Sequence, residues 1–115
     1  MKISKEDIEQ IKVCEWLKNK TDLPFYAIAN QRSSTPWYGS LLKRMGVTKG
    51  VSDLCIYRAT EEFHGVYIEL KTGKGKPSPE QQDFLEGVTK EGYFGACVWE
   101  ADAAIELIKQ VYNIP

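Results

Sequence analysis

Histidine, cysteine and long apolar runs are scarce in this chain of 115 residues, which has one His and three Cys. The single His64 excludes zinc sites built on two histidines. Cys14, Cys55 and Cys97 are odd in number and about 40 residues apart, which fits neither a disulfide framework nor a zinc knuckle but suits a reducing cytosol. No apolar run is long enough to span a bilayer, and the N-terminal segment MKISKEDIEQ lacks the apolar stretch of a signal peptide. We therefore expect a cytoplasmic protein with no membrane partner.

The length and composition predict one globular domain over residues 1–115, because 43% hydrophobic and 27% charged residues are ordinary for such a domain. The formal net charge of −1 at first argues against a nucleic-acid partner. The charge is uneven, however: residues 32–76 carry a net +4 and residues 77–115 a net −5. A basic middle segment is compatible with binding an anion, although a charge cluster alone is more often a solvated surface.

The apolar spacing and the capping residues predict alternating helices and strands. Ser4, followed by acidic residues and an i, i+3 apolar stripe, predicts a helix over about 5–20. Ser78 with Pro79 and Gln81 predicts a second helix start, and that helix ends before Gly92. The remaining expected elements are a strand ending at Ala29, a short helix near 38–45, strands at 53–58, 65–71 and 93–99, and a helix at 101–112.

The strand at 65–71 carries the most informative charges. Side chains alternate along a strand, so Tyr67, Glu69 and Lys71 share one face. One interpretation is a half-buried strand with a solvated outer face. The other is a covered site, because buried charges must pair or bind a ligand. If the neighbouring strand pairs with this one, Asp53 joins Glu69, and two adjacent carboxylates favour a hard divalent cation. Asp53 can alternatively be a turn residue that accepts local backbone hydrogen bonds.

Three segments in order resemble a known nuclease family. They are Lys49-Gly50-Val51-Ser52-Asp53-Leu54, then His64-Gly65-Val66-Tyr67-Ile68-Glu69-Leu70-Lys71, then Gly75-Lys76-Pro77-Ser78-Pro79-Glu80-Gln81. In this order they are similar to the VRR-NUC domain, a virus-type replication-repair nuclease of the PD-(D/E)XK superfamily. The resemblance implies an α/β fold with a restriction-endonuclease-like core, a central mixed four-stranded sheet flanked by helices in the order α-β-β-β-α-β-α.

The resemblance also implies roles for individual residues. The metal ligands would be Asp53, Glu69, the backbone carbonyl of Leu70 and Glu6 of the first helix, with Glu9 as the alternative to Glu6. Lys71 would be the catalytic lysine, and Gln81 would lie near it or near a phosphate. The sequence departs from the family pattern at Ser52 and Ala29, where proline is common, and both departures concern turn geometry.

The activity implied by the resemblance is Mg²⁺- or Mn²⁺-dependent hydrolysis of DNA phosphodiester bonds. Compact members are associated with phages, so the chain is expected in the host cytoplasm as a phage or prophage protein. They are also associated with branched DNA such as Holliday junctions. Two symmetric cuts need two sites, so a homodimer is expected. A non-catalytic nucleic-acid-binding module of the same fold and a restriction-type duplex nuclease are the alternatives.

Polar and basic residues in three parts of the chain are candidate DNA contacts. The loop at 71–76 is not a nucleotide-binding motif, because Pro77 follows Gly-Lys where Ser or Thr is required, so no nucleotide cofactor is expected. The loop can instead touch a DNA backbone or be a solvated linker. Trp37 beside basic groups can stack on a base, lie in the core or form a dimer contact. The candidates are Gln10, Asn30, Arg32, Lys43, Arg44, Lys49, Lys74 and Lys76.

Overall fold

Four helices and four strands make up the fold in a computed structural model, which describes residues 3–29 and 35–115. The predicted short helix is present between the first two strands, so the order is α-β-α-β-β-α-β-α. The elements are α1 (Lys5–Lys20), β1 (Phe25–Ala27), α2 (Pro36–Arg44), β2 (Leu54–Ile56), β3 (Val66–Lys71), α3 (Pro79–Lys90), β4 (Phe94–Trp99) and α4 (Ala101–Tyr112).

The strands form one mixed sheet in the order β1-β2-β3-β4. The first three strands are antiparallel, with Leu54 opposite Ile68, so the second and third strands are neighbours as the candidate site requires. The last pair is parallel, with Glu69 opposite Cys97 and Lys71 opposite Trp99. β3 is therefore an interior strand, and its charged side chains lie within the sheet rather than at its edge.

The two faces of the sheet are covered by different helices. α1 and α4 pack on each other and on one face, where Val66, Ile68 and Leu70 of β3 join the hydrophobic core. α3 packs against β3 and β4 on the other side. Because side chains alternate along β3, Glu69 and Lys71 face away from the hydrophobic core. Within residues 3–29 and 35–115, α2 packs on no other helix or strand.

Local capping explains where two of the helices begin. At α1 the Ser4 hydroxyl accepts from the Asp7 amide, and at α3 the Ser78 hydroxyl accepts from the Gln81 amide. In both cases the third helical residue returns a hydrogen bond to the cap backbone, which completes a capping box. Both starts agree with the prediction, and α1 and α4 have the expected bounds.

Two tryptophans lie at the surface. Trp99 is 40% exposed, and its side chain faces the loop that follows β3. Trp37 is 74% exposed, which excludes a core role. Cys55 is buried, whereas Cys14 and Cys97 are only partly buried. No helix in the described part of the chain has the length and apolarity needed to cross a membrane.

Candidate active site

Asp53 enters the site through the turn that precedes β2. Gly50 in this turn has φ of +93°, and a Cβ there would lie 2.5 Å from the backbone of Glu80. The turn thus packs directly on the first residues of α3. Asp53 Oδ2 then accepts a hydrogen bond of 2.8 Å from the backbone amide of Leu70. The carboxylate is therefore tied to β3, the strand that bears Glu69 and Lys71.

Glu69 is a buried acid with a strongly perturbed ionisation. Its side chain is 2% exposed, and Oε2 accepts a hydrogen bond of 3.1 Å from Gln81 Nε2. Lys71 Nζ lies 3.6 Å from the same oxygen. Burial, together with the neighbouring Asp53 charge, raises the pKa of Glu69 to about 8, although Lys71 opposes the shift. The environment therefore disfavours the ionised form of Glu69 in the protein alone.

The second oxygen of Glu69 tests whether these residues fit a metal ion. Oε1 is buried and has no hydrogen-bond partner among the described residues. A buried carboxylate oxygen without a donor is costly, and a cation beside it would remove that cost. The donor set, two carboxylates with a backbone carbonyl between Glu69 and Lys71, is the oxygen-rich type that Mg²⁺ and Mn²⁺ prefer. The residues present therefore fit the implied metal.

Gln81 connects the start of α3 to Glu69. Its Oε1 accepts a hydrogen bond of 2.8 Å from the Ser78 amide, which leaves Nε2 to face Glu69. The capping box thus orients the amide so that a donor, rather than an acceptor, meets the carboxylate. The sequence motif predicted both the cap and the presence of Gln81 near Lys71. In the structure the Gln81 amide bonds the Ser78 backbone with its oxygen and Glu69, the neighbour of Lys71, with its nitrogen.

Glu6 and Glu9 on α1 differ in their surroundings. Glu9 Oε1 accepts a hydrogen bond of 2.9 Å from the Ala101 amide at the start of α4, and its Oε2 lies 2.8 Å from Lys12 Nζ. These contacts, the Ala101 amide first, lower the pKa of Glu9. Glu6 is half-buried. Glu69, Asp53 and Glu6 add to burial in raising the pKa of the Cys97 thiol, which brings Glu6 into electrostatic range of the site.

Glu6 does not close a three-carboxylate cluster with Asp53 and Glu69. In the described ranges, no three His, Cys, Asp or Glu side chains are gathered into a metal-binding group. The structure brings together Asp53, Glu69, Lys71 and Gln81, and leaves Glu6 as a more distant charge.

The candidate DNA-contact residues that the structure describes lie on α1, on α2, in the turn before β2 and on the loop after β3. Lys43 and Arg44 are in the last turn of α2, and Lys74 and Lys76 are exposed on the loop after β3. Lys49 Nζ lies 3.8 Å from a Glu80 carboxylate oxygen. Gln10 is half-buried and lines a groove along α1 with Asp7 and Cys14. Asn30 and Arg32 fall outside the described residues.

Comparison with known proteins identifies the family of this chain. A family model described as "VRR-NUC domain" matches residues 3–98. The chain belongs to the VRR-NUC family. A solved structure titled "VRR_NUC domain protein" is similar over 99% of this chain and 93% of that chain, with a TM-score of 0.83 and 28% identity. No curated protein matches. The VRR-NUC fold is a nuclease-type fold, for which DNA is the implied substrate.

Two residues beside the candidate site were not predicted from the sequence. Trp99 pairs in register with Lys71, and Glu100 follows it with φ of 71° and ψ of 155°. That conformation is normally restricted to glycine, and a side chain there costs on the order of 1–3 kcal/mol. The alternation of β4 could have placed Trp99 on the site face, but nothing in the local pattern around Glu100 signals its conformation.

Proposed function

We propose that this chain is a Mg²⁺- or Mn²⁺-dependent DNA endonuclease that hydrolyses phosphodiester bonds in branched DNA, such as Holliday junctions, as a homodimer. The observation that carries the proposal is the buried Glu69 carboxylate, whose Oε1 has no partner within the described residues and whose pKa is raised by burial and by Asp53. The neighbouring carboxylates of Asp53 and Glu69 repel each other, and a divalent cation would offset that repulsion.

Each residue of the site has a role that its contacts support. Asp53, Glu69 and the Leu70 carbonyl would hold the metal, and Glu6 would add a more distant negative charge; the contact of Glu9 with the Ala101 amide favours Glu6 over Glu9 for this role. The bound ion would supply Lewis-acid stabilisation of phosphate charge and a more acidic water. Lys71 would orient a water or hold a non-bridging phosphate oxygen. Gln81 fixes the orientation of the Glu69 carboxylate through Nε2.

The direct test is a cleavage assay on a supercoiled plasmid and a synthetic four-way junction with Mg²⁺, Mn²⁺ or EDTA. We expect cleavage with either metal, none in EDTA, and none by Asp53→Asn or Lys71→Ala. Asparagine keeps an oxygen acceptor for the Leu70 amide, so the melting temperature of that variant should stay within a few degrees of wild type. Full cleavage by either variant would show that the site is assigned wrongly.

A panel of substrates separates the proposed activity from its alternatives. We expect four-way junctions to be cut faster than flap, splayed-arm or linear duplex DNA. Binding to junctions without cleavage in either metal would identify a non-catalytic binding module. Discrete cuts on linear duplex would identify a restriction-type enzyme.

The homodimer has a candidate surface on α2 and the turn after it. Trp37, Met45 and Val47 are 74%, 69% and 55% exposed, and α2 packs on no other described helix or strand. A second copy would cover this apolar surface and supply the second site. Light scattering should show a dimer at micromolar concentration, and Trp37→Ala with Met45→Ala should shift it to monomer. A wild-type monomer that still makes paired cuts would refute the dimer.

The same variants test whether this surface binds DNA instead. If Trp37→Ala stays dimeric but loses affinity for junction DNA, Trp37 is a stacking residue rather than a dimer contact. Tyr57→Ala is the matched control, because Tyr57 is also an exposed aromatic, at 60%, but lies just after β2 rather than on α2.

A further inference from the structure

Trp99 is bonded to the loop that follows the strand carrying Lys71. Its Nε1 donates a hydrogen bond of 2.8 Å to the carbonyl of Gly75. Trp99 is also the register partner of Lys71 in the parallel β3–β4 pair, so both side chains leave the sheet on the same face. The indole therefore stands beside the lysine and holds a loop residue there.

The residue held by Trp99 packs against the lysine. A Cβ placed on Gly75 would lie 3.7 Å from Lys71 Cδ and 3.9 Å from Lys71 Cβ. The Gly75 amide also donates to the Thr72 carbonyl at 3.0 Å, which closes the loop into a tight turn. As a result the Lys71 side chain is only 12% exposed, although it is long and charged. The turn thus covers the aliphatic part of Lys71 and directs Nζ toward Glu69.

Glu100 holds the beginning of the same loop. Its amide donates to the Lys71 carbonyl at 2.9 Å, and its Oε1 accepts a hydrogen bond of 3.1 Å from the Gly73 amide. Glu100 makes these contacts from a backbone conformation, φ 71° and ψ 155°, that side chains rarely adopt. Strain of this kind persists only where surrounding contacts impose it, and it concentrates at functional sites.

We propose that Trp99 and Glu100 are positioning residues for Lys71, which act by fixing the turn Thr72–Gly75 over its side chain. The proposal rests on the proposed nuclease function, in which Lys71 acts at the phosphate. If the turn no longer covered it, the Lys71 side chain would move away from Glu69 and extend into solvent, as lysine side chains ordinarily do. In this role both residues act through the turn and not on the substrate, so the loss of either should reduce turnover rather than binding.

Trp99→Phe is the sharpest variant, because it removes the Nε1 donor and keeps an aromatic ring at a partly exposed position. We expect kcat on junction DNA to fall roughly tenfold with KM little changed, since small misplacement of a reacting group is costly. Trp16→Phe on α1 makes the same chemical change away from the turn and should cleave as wild type.

A readout independent of cleavage is the rate at which Lys71 is acetylated, followed by mass spectrometry. In wild type this lysine should react slowly, because its side chain is 12% exposed. In Trp99→Phe we expect several-fold faster acetylation of Lys71, with no change at Lys12, whose side chain is already 59% exposed.

Two variants of Glu100 separate positioning from stability. Glu100→Gln keeps an oxygen acceptor for the Gly73 amide and should retain most activity. Glu100→Gly removes the acceptor and also the backbone strain, so its melting temperature should equal or exceed that of wild type while kcat falls and Lys71 acetylation rises. A merely structural residue would lose stability and activity together.

The outcomes separate a failure of the positioning role of Trp99 and Glu100 from a failure of the nuclease function. If Lys71 is acetylated at the wild-type rate in Trp99→Phe and Glu100→Gly, and both variants cleave DNA as wild type does, the positioning role is wrong. If wild type cleaves no DNA with either metal but Lys71 becomes reactive in both variants, the turn does position Lys71 and the nuclease function is what fails.

Discussion

At the scale of single residues, Glu69 shows most clearly how the fold prepares a site. Its carboxylate is buried, is held on one oxygen by Gln81 and Lys71, and has Asp53 as a like-charged neighbour. Alternation along β3 predicted that Glu69 and Lys71 share a face, and pairing of β2 with β3 predicted the approach of Asp53. The raised pKa could not be predicted, because it depends on how completely α3 and the turn before β2 exclude water.

The raised pKa of Glu69 makes stability depend on pH. The group titrates near 4.5 when unperturbed and near 8 in the folded protein, so the folded state holds the extra proton between these values. The free energy of unfolding must therefore fall as pH rises through this window. We expect Glu69→Gln, which cannot ionise, to match wild type near pH 4 and to melt several degrees higher at pH 9 in EDTA.

The control for this measurement is Glu86→Gln on the exposed side of α3, which should track wild type at every pH. Mg²⁺ at pH 9 should raise the melting temperature of wild type more than that of Glu69→Gln, because the variant lacks the Glu69 charge that the cation would neutralise. A constant offset between Glu69→Gln and wild type from pH 4 to pH 9 would contradict the assignment of the shift to Glu69.

The two acids of α1 are expected to fail in different ways. Glu6→Gln should reduce cleavage at least tenfold and leave the melting temperature unchanged, because it lies in electrostatic range of the site without capping another helix. Glu9→Ala should lower the melting temperature, because the Ala101 amide loses its acceptor, and the folded fraction should still cleave. Circular dichroism melts and junction cleavage on both variants decide between them; the reverse pattern would make Glu9 the functional acid.

At the scale of elements, the sequence predicted the helix starts that are fixed by contacts between residues close together in the chain. Ser4 and Ser78 predicted the starts of α1 and α3, since each cap bonds only a few residues away. α4 begins without a side-chain cap of its own, after a residue with positive φ, and takes its acceptor from Glu9 on another helix. Such a contact depends on tertiary packing, as does the hydrogen bond that holds Trp99 on the loop.

Strand ends show the same limit. The pattern predicted a first strand that continued to Ala29 and a second over 53–58, whereas β1 and β2 pair only over Phe25–Ala27 and Leu54–Ile56. Alternation signals which side chains face inward, but a strand ends where its neighbour stops pairing. The approach of Asp53 to Glu69 was predicted better than these ends, because it needs only the correct face and the correct neighbouring strand.

The turn before β2 depends on a glycine that no other residue can replace without a clash. Gly50 has φ of +93°, and a Cβ there would lie 2.5 Å from Glu80 backbone atoms. We expect Gly50→Ala to lower the free energy of unfolding by more than about 2 kcal/mol and to abolish cleavage, because Asp53 moves with the turn. Urea denaturation with the cleavage assay measures both effects.

Gly46 offers the matched control. It has the same φ of +93°, but a Cβ there would meet nothing within 4 Å. Gly46→Ala should therefore cost only the backbone penalty of roughly 1–2 kcal/mol for a side chain at positive φ, and Asp53 should keep its position. If the two alanine variants lose equal stability, the contact between the turn and α3 contributes nothing.

At the scale of the whole molecule, a net charge of −1 conceals an uneven distribution of charge along the sequence, with a basic middle that suits DNA. The basic middle of the sequence includes the exposed Lys74 and Lys76, on the loop that Trp99 and Glu100 attach to the site. The acidic residues from 77 onward lie largely on α3 and α4. A bound divalent cation would also cancel part of the Asp53 and Glu69 charge, which makes the site less repulsive to phosphate than the count suggests.

Salt dependence of junction binding tests this separation directly. Removing one lysine–phosphate ion pair lowers the magnitude of the slope of log K against log salt by about 0.9, so Lys74→Gln with Lys76→Gln should lower it by about 1.8. Lys90→Gln with Lys109→Gln removes the same charge from the last turns of α3 and α4 and should leave the slope unchanged. Fluorescence anisotropy on a labelled junction in EDTA, across a salt series, measures both pairs. If the Lys90 and Lys109 substitutions lower the slope as much as the Lys74 and Lys76 substitutions, the affinity for DNA depends on the total charge of the protein. The loop held by Trp99 then does not bind DNA.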